Sequence, residues 1–325
     1  MTPPSTAIRT RAAVPADLPA CERIWRDGIN DYIRRLNQPD VPEDNPGLRR
    51  LHAHTLATDP ARFRVAEREG EVVAFGSAVQ RGPLWFLSML FVTPGAQAKG
   101  VGRRLLAEIG PDSPGDGPAA AARLPVAAGA PEPRSETILG TVTDSAQPIS
   151  NGLYSSMGIV PRMPLWNLVG RPGSGWQAPP LPPGVTAARF PDDPVSALEI
   201  DALDREIVGF DHPQDHAFLL AGQPDRFAYR AAGGDLLGYG YTSAVGRIGP
   251  VAVRDPSLMG PVVGHLLTAV VPRGASAIWL PGGSTGAVAV ALDAGLRYED
   301  WPLLLCWSRP FADFERYLPI SPGLP

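Results

Sequence analysis

The spacing of apolar residues changes along the chain in an order that predicts its elements. Ile8–Arg11 reads as a short strand. Val14-Pro15-Ala16-Asp17 has the form of a helix start, with Asp17 close to the N-cap position. The helix it opens places Leu18, Cys21, Ile24, Trp25 and Ile29 roughly on one face, with Tyr32 and Ile33 beyond. A second, more polar helix is predicted over about Gly47–Ala57 and holds His52 and His54. Phe63–Glu67 and Val72–Val79, joined by Arg68-Glu69-Gly70-Glu71, read as a hairpin. From Leu87 to Val92 runs an apolar stretch with aromatic and β-branched members, which predicts a buried strand. Pro94 ends it, because proline cannot donate to a ladder. Val101, Leu105, Leu106 and Ile109 then share a helical face.

After Ile109 the pattern lapses. Pro111–Glu136 is rich in Ala, Pro and Gly and reads as a surface excursion with at most one helical turn, at Ala119–Leu124. Strand spacing resumes at Thr137–Thr143, and a further strand is predicted at Leu165–Val169. Arg171–Gly184 is a Pro/Gly-rich linker, with Trp176 as a candidate anchor. Beyond it the first half is faintly repeated. Val185–Phe190, Val195–Leu203, the hairpin Phe227–Ala231 with Leu237–Thr242, Gly249–Val253, Leu258–Val271, Ala277–Leu280, Ala287–Ala294 and Leu303–Trp307 follow in the same order. A repeat of this length implies duplicated domains.

The 325 residues suit two domains, and no apolar stretch reaches membrane-spanning length. Met1–Arg11 lacks the basic-then-apolar order of a signal peptide, so a cytoplasmic protein is expected. Cys21 and Cys306 sit in separate apolar segments and read as small buried residues rather than a disulfide or metal pair. A net charge of −4 argues against a nucleic-acid partner. Residues 1–170 carry 18 Lys and Arg against 17 Asp and Glu, while residues 171–325 carry 11 against 16. An anionic ligand therefore meets less repulsion at the first half.

The chemistry gathers at the junction between strand and helix, where Gln97, Gly100 and Gly102 stand in the spacing Q-x-x-G-x-G. Glycine there admits positive φ and close approach of a ligand to the backbone, and the amides opening the next helix suit phosphate oxygens. Arg103 and Arg104 add charge nearby. Strand, V-x-P, Q-x-x-G-x-G and amphipathic helix together resemble the acetyl-coenzyme A motif of the GNAT N-acetyltransferase superfamily. A second match is Tyr154-x-x-x-Gly158-Ile159, with Gln147-Pro148 seven residues before the tyrosine, where the family favours Asn-Pro. The resemblance covers roughly residues 8–170.

It implies an α/β fold with a mixed sheet. The expected arrangement is a catalytic domain over 1–170, a linker over 171–184 and a degenerate copy over 185–325, similar to mycothiol synthase-like tandem proteins. It implies acetyl-CoA as co-substrate, with no metal. The backbone of Leu90, Phe91 and Val92 would face pantetheine, and Gln97, Ala98, Lys99, Gly100, Val101, Gly102 and Arg103 the pyrophosphate. Tyr154 is the candidate acid for the departing thiolate. Ser88 stands near the place where many members carry a Glu, which leaves the general base open among Ser88, Glu67, His52 and His54. Trp25, Tyr32 and Trp85 are the candidates for binding a small-molecule amine. A silent acyl-CoA-binding module and transfer of a larger acyl group are the alternatives, and a homodimer is left open.

The second copy departs where chemistry would need it. Asp255-Pro256-Ser257-Leu258-Met259-Gly260-Pro261 replaces the glycine loop, and Ala291 stands where the tyrosine would be. His212 and His216 with Asp211 and Asp215 look like a ligand cluster. No further Cys or His supports it, so a solvated loop is expected there.

Overall fold

The computed structural model describes residues 7–97, 100–111 and 137–325. The expected turn at Ala119–Leu124 and the residues Ala98 and Lys99 lie outside that set. The chain divides into two units, Met1–Thr141 with Gly152–Ile159, and Val142–Asn151 with Val160–Pro325.

In the first unit the elements are β1 (Arg9–Ala12), α1 (Leu18–Ile33), α2 (Pro46–Thr58), β2 (Phe63–Arg68), β3 (Glu71–Arg81), β4 (Leu84–Val92) and α3 (Val101–Ile109). β5 (Ile138–Asp144) and α4 (Pro148–Ser155) follow, each divided between the units after Thr141 and Asn151. The strands pair in the order β1-β2-β3-β4-β5, antiparallel except for β4 with β5. Glu69 and Gly70, at φ 56° and 86°, make the tight β2–β3 turn, both in the left-handed region that such hairpins require. Asn45 caps α2 by accepting from the Leu48 amide at 3.0 Å, with Pro46 at its first position.

Alternation along the strands sorts the core into two layers. Phe63, Val65 and Phe75 meet Cys21 and Ile24 of α1 on one face, joined by Met89 and Phe91. Ala66 and Ala74 meet Val101 and Leu105 of α3 on the other, joined by Leu90 and Val92. Helices α1 and α2 thus cover one side of this sheet and α3 the other. The end of α3 is tied down by Glu108, which takes the Thr10 hydroxyl at 2.5 Å and the Arg64 guanidinium at 3.2 Å.

In the second unit the elements are β6 (Val160–Gly170), β7 (Val185–Arg189), α5 (Pro194–Ile207), α6 (Pro213–Leu220), β8 (Asp225–Ala231), β9 (Leu236–Thr242) and β10 (Arg247–Val253). Then come α7 (Met259–Ala269), β11 (Ser276–Pro281), α8 (Thr285–Asp293), β12 (Arg297–Tyr298), β13 (Leu303–Trp307) and β14 (Tyr317–Leu318). The strand order β13-β6-β11-β10-β9-β8-β7 reproduces the succession of the first half, so the repeat is structural. The linker packs here as well. The Trp176 indole donates to Asp293 at 2.8 Å, and the Gly173 amide donates to Ala294 at 2.8 Å.

Two expectations change. The strand at Leu165–Val169, expected to close the first domain, is β6, and it pairs with β11 and β13 of the second half. The solvated loop expected at His212–His216 is instead the start of α6, with both imidazoles and Asp215 buried, while Asp211 points away to Arg205. The short strand β14 had no sequence signal of its own. Cys21 and Cys306 are buried free thiols, as expected.

His52 lies fully buried in α2, edge-on to Phe63 and Phe75 with ring centroids 6.1 and 5.3 Å away. Neither ring nitrogen has a hydrogen-bond partner among the described residues, and burial pulls its pKa down from 6.5 to about 4. The unfolded chain takes up the proton first as pH falls, so stability is full above 6.5 and is lost between 6.5 and about 4. The loss is roughly 3 kcal/mol at the low end. Urea midpoints at pH 7 and 4.5 for the wild type and His52→Leu should differ by that pH-dependent part. An identical pH dependence in both proteins would show that His52 is not buried neutral.

Candidate active site

β4 changes character halfway along. Its residues are buried from Leu84 to Ser88 and only partly buried from Met89 to Val92. The change coincides with a bulge. Ser77 faces Met89 across the β3 ladder and Ala78 faces Leu87, so Ser88 is the extra residue. The parallel ladder to β5 runs over Leu84–Leu87 against Ile138–Thr141, and the Thr141 hydroxyl donates to the Leu87 carbonyl at 2.9 Å. Past Leu87, among the described residues, β4 has a strand partner only on the β3 side. The backbone of Leu90–Val92, assigned by resemblance to pantetheine, therefore lies along an unladdered edge.

This edge leads into the glycine loop. Pro94–Ala96 forms one 3-10 turn, and the Gln97 carboxamide donates back to the Val92 carbonyl at 3.1 Å. Gly100 sits at φ 76° as the N-cap of α3, a left-handed conformation that glycine takes without a Cβ clash. The first intrahelical bond runs from the Arg104 amide to the Gly100 carbonyl at 3.0 Å. The amides of Val101, Gly102 and Arg103 precede it and have no acceptor among the described residues. A Cβ at Gly102 would touch only Leu90 and Val92 at 3.7 and 3.8 Å, which is ordinary contact. Packing among the described residues therefore gives no reason for glycine at 102, whereas a ligand approaching the amides would.

The two arginines separate. Arg104 is engaged with Glu108 at 3.2 Å and with the Ile8 carbonyl at 3.1 Å. Arg103 is exposed and has no ion-pair partner among the described residues. The donor set of amides, a left-handed glycine and an exposed arginine fits the pyrophosphate of a coenzyme A thioester. Ala98 and Lys99, also assigned to it, are outside the described residues.

Tyr154 lies buried in the last turn of α4. The spacing to Gly158 has a backbone cause. Gly158 takes φ 79°, its amide donates to Ser155 at 3.0 Å, and the Ile159 amide donates to Tyr154 at 3.1 Å. This is a Schellman cap, and Ile159 is fully buried behind it. The cap recurs at Gly295, where the Leu296 amide donates to Ala291 at 3.0 Å. Capping therefore does not require a tyrosine.

The remaining candidates scatter. Trp85 is corrected: it is 1% exposed and its indole donates to the Ile109 carbonyl at 2.8 Å, so it belongs to the core and cannot line an acceptor cleft. Trp25 is half-buried, edge-on to Phe91 with centroids 6.4 Å apart, and borders a shallow cleft with Glu22, Arg26, Glu43 and Leu48. Tyr32 is buried at the far end of α1, and Ser88 is buried at the bulge. Glu67 as a base is corrected by its ion pair. Arg11 holds it at 2.5 Å while also binding Asp17 at 2.6 Å, which pushes the Asp17 carboxyl below its ordinary range. Burial likewise closes His52 to substrate.

The second copy lacks this open edge. Past the short parallel ladder to β11 over Arg247–Ile248, β10 is met by β14, with Val251 opposite Leu318 and Ala252 opposite Tyr317. A Cβ on Gly260 would come within 3.2 Å of Val290 and 3.3 Å of the Gly286 carbonyl, so this glycine serves the packing of α7 on α8. Sequence reasoning found the missing glycine loop but not the strand that covers the edge.

Comparison with known proteins agrees with this geometry. Residues 28–109 match the model of the acetyltransferase (GNAT) family. No curated protein matches the sequence. Among solved structures, a protein from Pyrococcus horikoshii described as an acetyltransferase superposes with a TM-score of 0.67 at 16% identity, over 98% of this chain and 96% of that one. A GCN5-related N-acetyltransferase from Sphaerobacter thermophilus gives 0.56 at 17% identity, over 95% and 98%. A tandem GNAT protein from the clavulanic acid biosynthesis pathway gives 0.53 at 14% identity, over 94% and 99%. At these identities the likeness is one of fold. Among the described residues no helix is long and apolar enough to cross a membrane.

The two loop glycines should respond oppositely to alanine. Gly102→Ala should raise stability by about 0.5–1 kcal/mol, because it removes backbone entropy without a clash. Gly100→Ala should lower it by about 1–2 kcal/mol, the cost of the left-handed conformation. Thermal unfolding of the ligand-free protein reads both. A destabilised Gly102→Ala would mean that this glycine serves internal packing after all.

Proposed function

We propose that the chain, whose residues 28–109 match the GNAT acetyltransferase family, moves an acetyl group from acetyl-CoA to the amine of a small molecule by direct attack on the thioester. The family supports acyl transfer from an acyl-CoA; the acetyl group, the amine and direct transfer are the proposal. The observation that carries it is the edge of β4, open among the described residues, running into three amides without acceptors and a glycine that packing does not explain within that same set.

Acetyl-CoA, when bound, supplies the activated acyl group as a thioester. The chain's part is to hold it and to handle charge. Amides of Val101, Gly102 and Arg103 at the start of α3 would take the pyrophosphate, with the Arg103 guanidinium beside them. The edge of β4 at Leu90–Val92 would pair with the amide-bearing pantetheine arm, and an N–H there would polarise the thioester carbonyl. Fixing the acyl carbon against the amine supplies much of the acceleration. Tyr154, whose position in the cap is filled by alanine in the second copy, is proposed to give its phenolic proton to the departing thiolate. With Glu67 paired and His52 buried, the amine would lose its proton to water. The first unit would be the catalytic half and the second, which includes β6 and the 171–184 linker, the silent one. We also propose that the protein works in the cytoplasm and without a nucleic-acid or membrane partner.

The reading is tested by acetyl-CoA turnover against a panel of amines, followed by release of free thiol. Binding with no thiol release for any amine would favour a silent acyl-CoA-binding module. Tyr154→Phe should lower turnover roughly 10²-fold while coenzyme A affinity holds. A fully active variant would remove the tyrosine from the chemistry.

Because β14 lies along the edge of β10, calorimetry should find one coenzyme A site per chain. Gly100→Val with Gly102→Val should abolish that site. Two sites, or unchanged affinity in the double variant, would place the cofactor elsewhere.

A further inference from the structure

The second unit buries a cluster that acetyl transfer does not use. Asp204 on α5 and Asp215 on α6 are fully buried, and His212 and His216 are 1% and 5% exposed. His212 is the N-cap of α6 and His216 lies one turn on, so the two imidazoles share a helix face. Both turn a ring nitrogen to the same Asp204 oxygen, His216 Nε2 at 2.8 Å and His212 Nε2 at 3.4 Å from Oδ2. The ring centroids are 4.6 Å apart.

We propose that Asp204, His212 and His216 form a binding site for one divalent transition-metal ion, with zinc as the best match to the donors, held to stabilise the second unit. Two imidazoles and a carboxylate are a common zinc ligand set. Zinc bonds of about 2.0–2.1 Å in tetrahedral array put donor atoms roughly 3.3 Å apart. The 3.4 Å pair already meets that spacing, and the 2.8 Å pair needs a shift of about half an ångström. Two of the donors have a hydrogen-bonded outer partner of the kind that orients metal ligands, and a carboxylate stands beside the third. Tyr239 donates to Asp204 Oδ1 at 2.6 Å, Tyr241 meets His216 Nδ1 at 2.9 Å, and Asp215 Oδ2 stands 3.6 Å from His212 Nδ1.

Charge favours the same occupant. With neutral imidazoles the cluster holds two carboxylates, and one divalent cation offsets both. The alternative, two imidazolium rings stacked 4.6 Å apart in the interior, sets like charges together. The near-complete burial of all three donors leaves no route for substrate, so the role is structural.

The test uses the full chain, produced in zinc-supplemented medium and dialysed without chelator. Elemental analysis should find about one zinc per chain, and 1,10-phenanthroline should lower the unfolding temperature. Cobalt exchange should give the visible d–d bands of a four- or five-coordinate site. His212→Gln and His216→Gln should lose the metal and the chelator response. If these variants fail to fold, the cobalt spectrum of the wild type decides. Wild type without retained zinc or cobalt bands, or folded variants that keep the metal, would overturn the proposal and leave a proton-linked network. The outcome does not depend on acetyltransferase activity.

Discussion

A backbone amide buried without a partner is costly, so every strand edge must be paired, wetted or covered. The constraint bears hardest on β4. Its first half is buried between two neighbours, and the bulge at Ser88 ends the ladder on one side while the β3 ladder continues. The loop, the Gly100 turn and α3 all follow from where that strand is released. α3 seats Val101 and Leu105 over Ala66 and Ala74, so the helix start stays beside Leu90 and Val92. An open edge and a set of open amides thus arise from one local break in register.

The second half meets the same constraint differently. β10 also has a register shift and only a short parallel ladder to β11, and its far end is covered by β14. The Val253 amide donates to Arg316 at 3.0 Å, which extends the covering contact. Where the first half keeps Gly102 clear, the second spends Gly260 on helix packing and places Pro261 two residues into α7. The two halves share caps, hairpins and strand order. They differ where a ligand would enter.

Much of this was legible in the sequence, because local physics wrote it there. The Glu69-Gly70 turn, the Schellman caps at Gly158 and Gly295 and the amphipathic face of α3 depend on residues close together in the chain. What could not be read depends on distant pairing. Nothing in Leu165–Val169 distinguishes a partner within its own half from one in the next, because a buried strand presents the same apolar run to either. Tyr317-Leu318 is too short to carry a period. An aromatic residue on a strand, such as Trp85, reads alike whether its indole faces a cleft or, as here, a helix-end carbonyl. The His212-x-x-x-His216 cluster is hard to read locally because its third member, Asp204, comes from the preceding helix and not from the adjacent Asp211.

The two copies also differ in what they bury beneath their second helix. In the first, His52 of α2 sits against Phe63 and Phe75, an apolar setting that keeps it neutral. In the second, His216 of α6 sits against Tyr239 and Tyr241, and the hydroxyls that replace bare ring edges bring Asp204 and a hydrogen-bonded network with them. A buried polar network of this kind is costly where a member is left unsatisfied. Tyr317 of β14 packs edge-on to His212 with centroids 6.5 Å apart. The network that needs satisfying therefore touches the strand that covers β10. A half without an open site has reason to hold its covering strand firmly, and a shared polar centre joining α5, α6, β9 and β14 is a means of doing so.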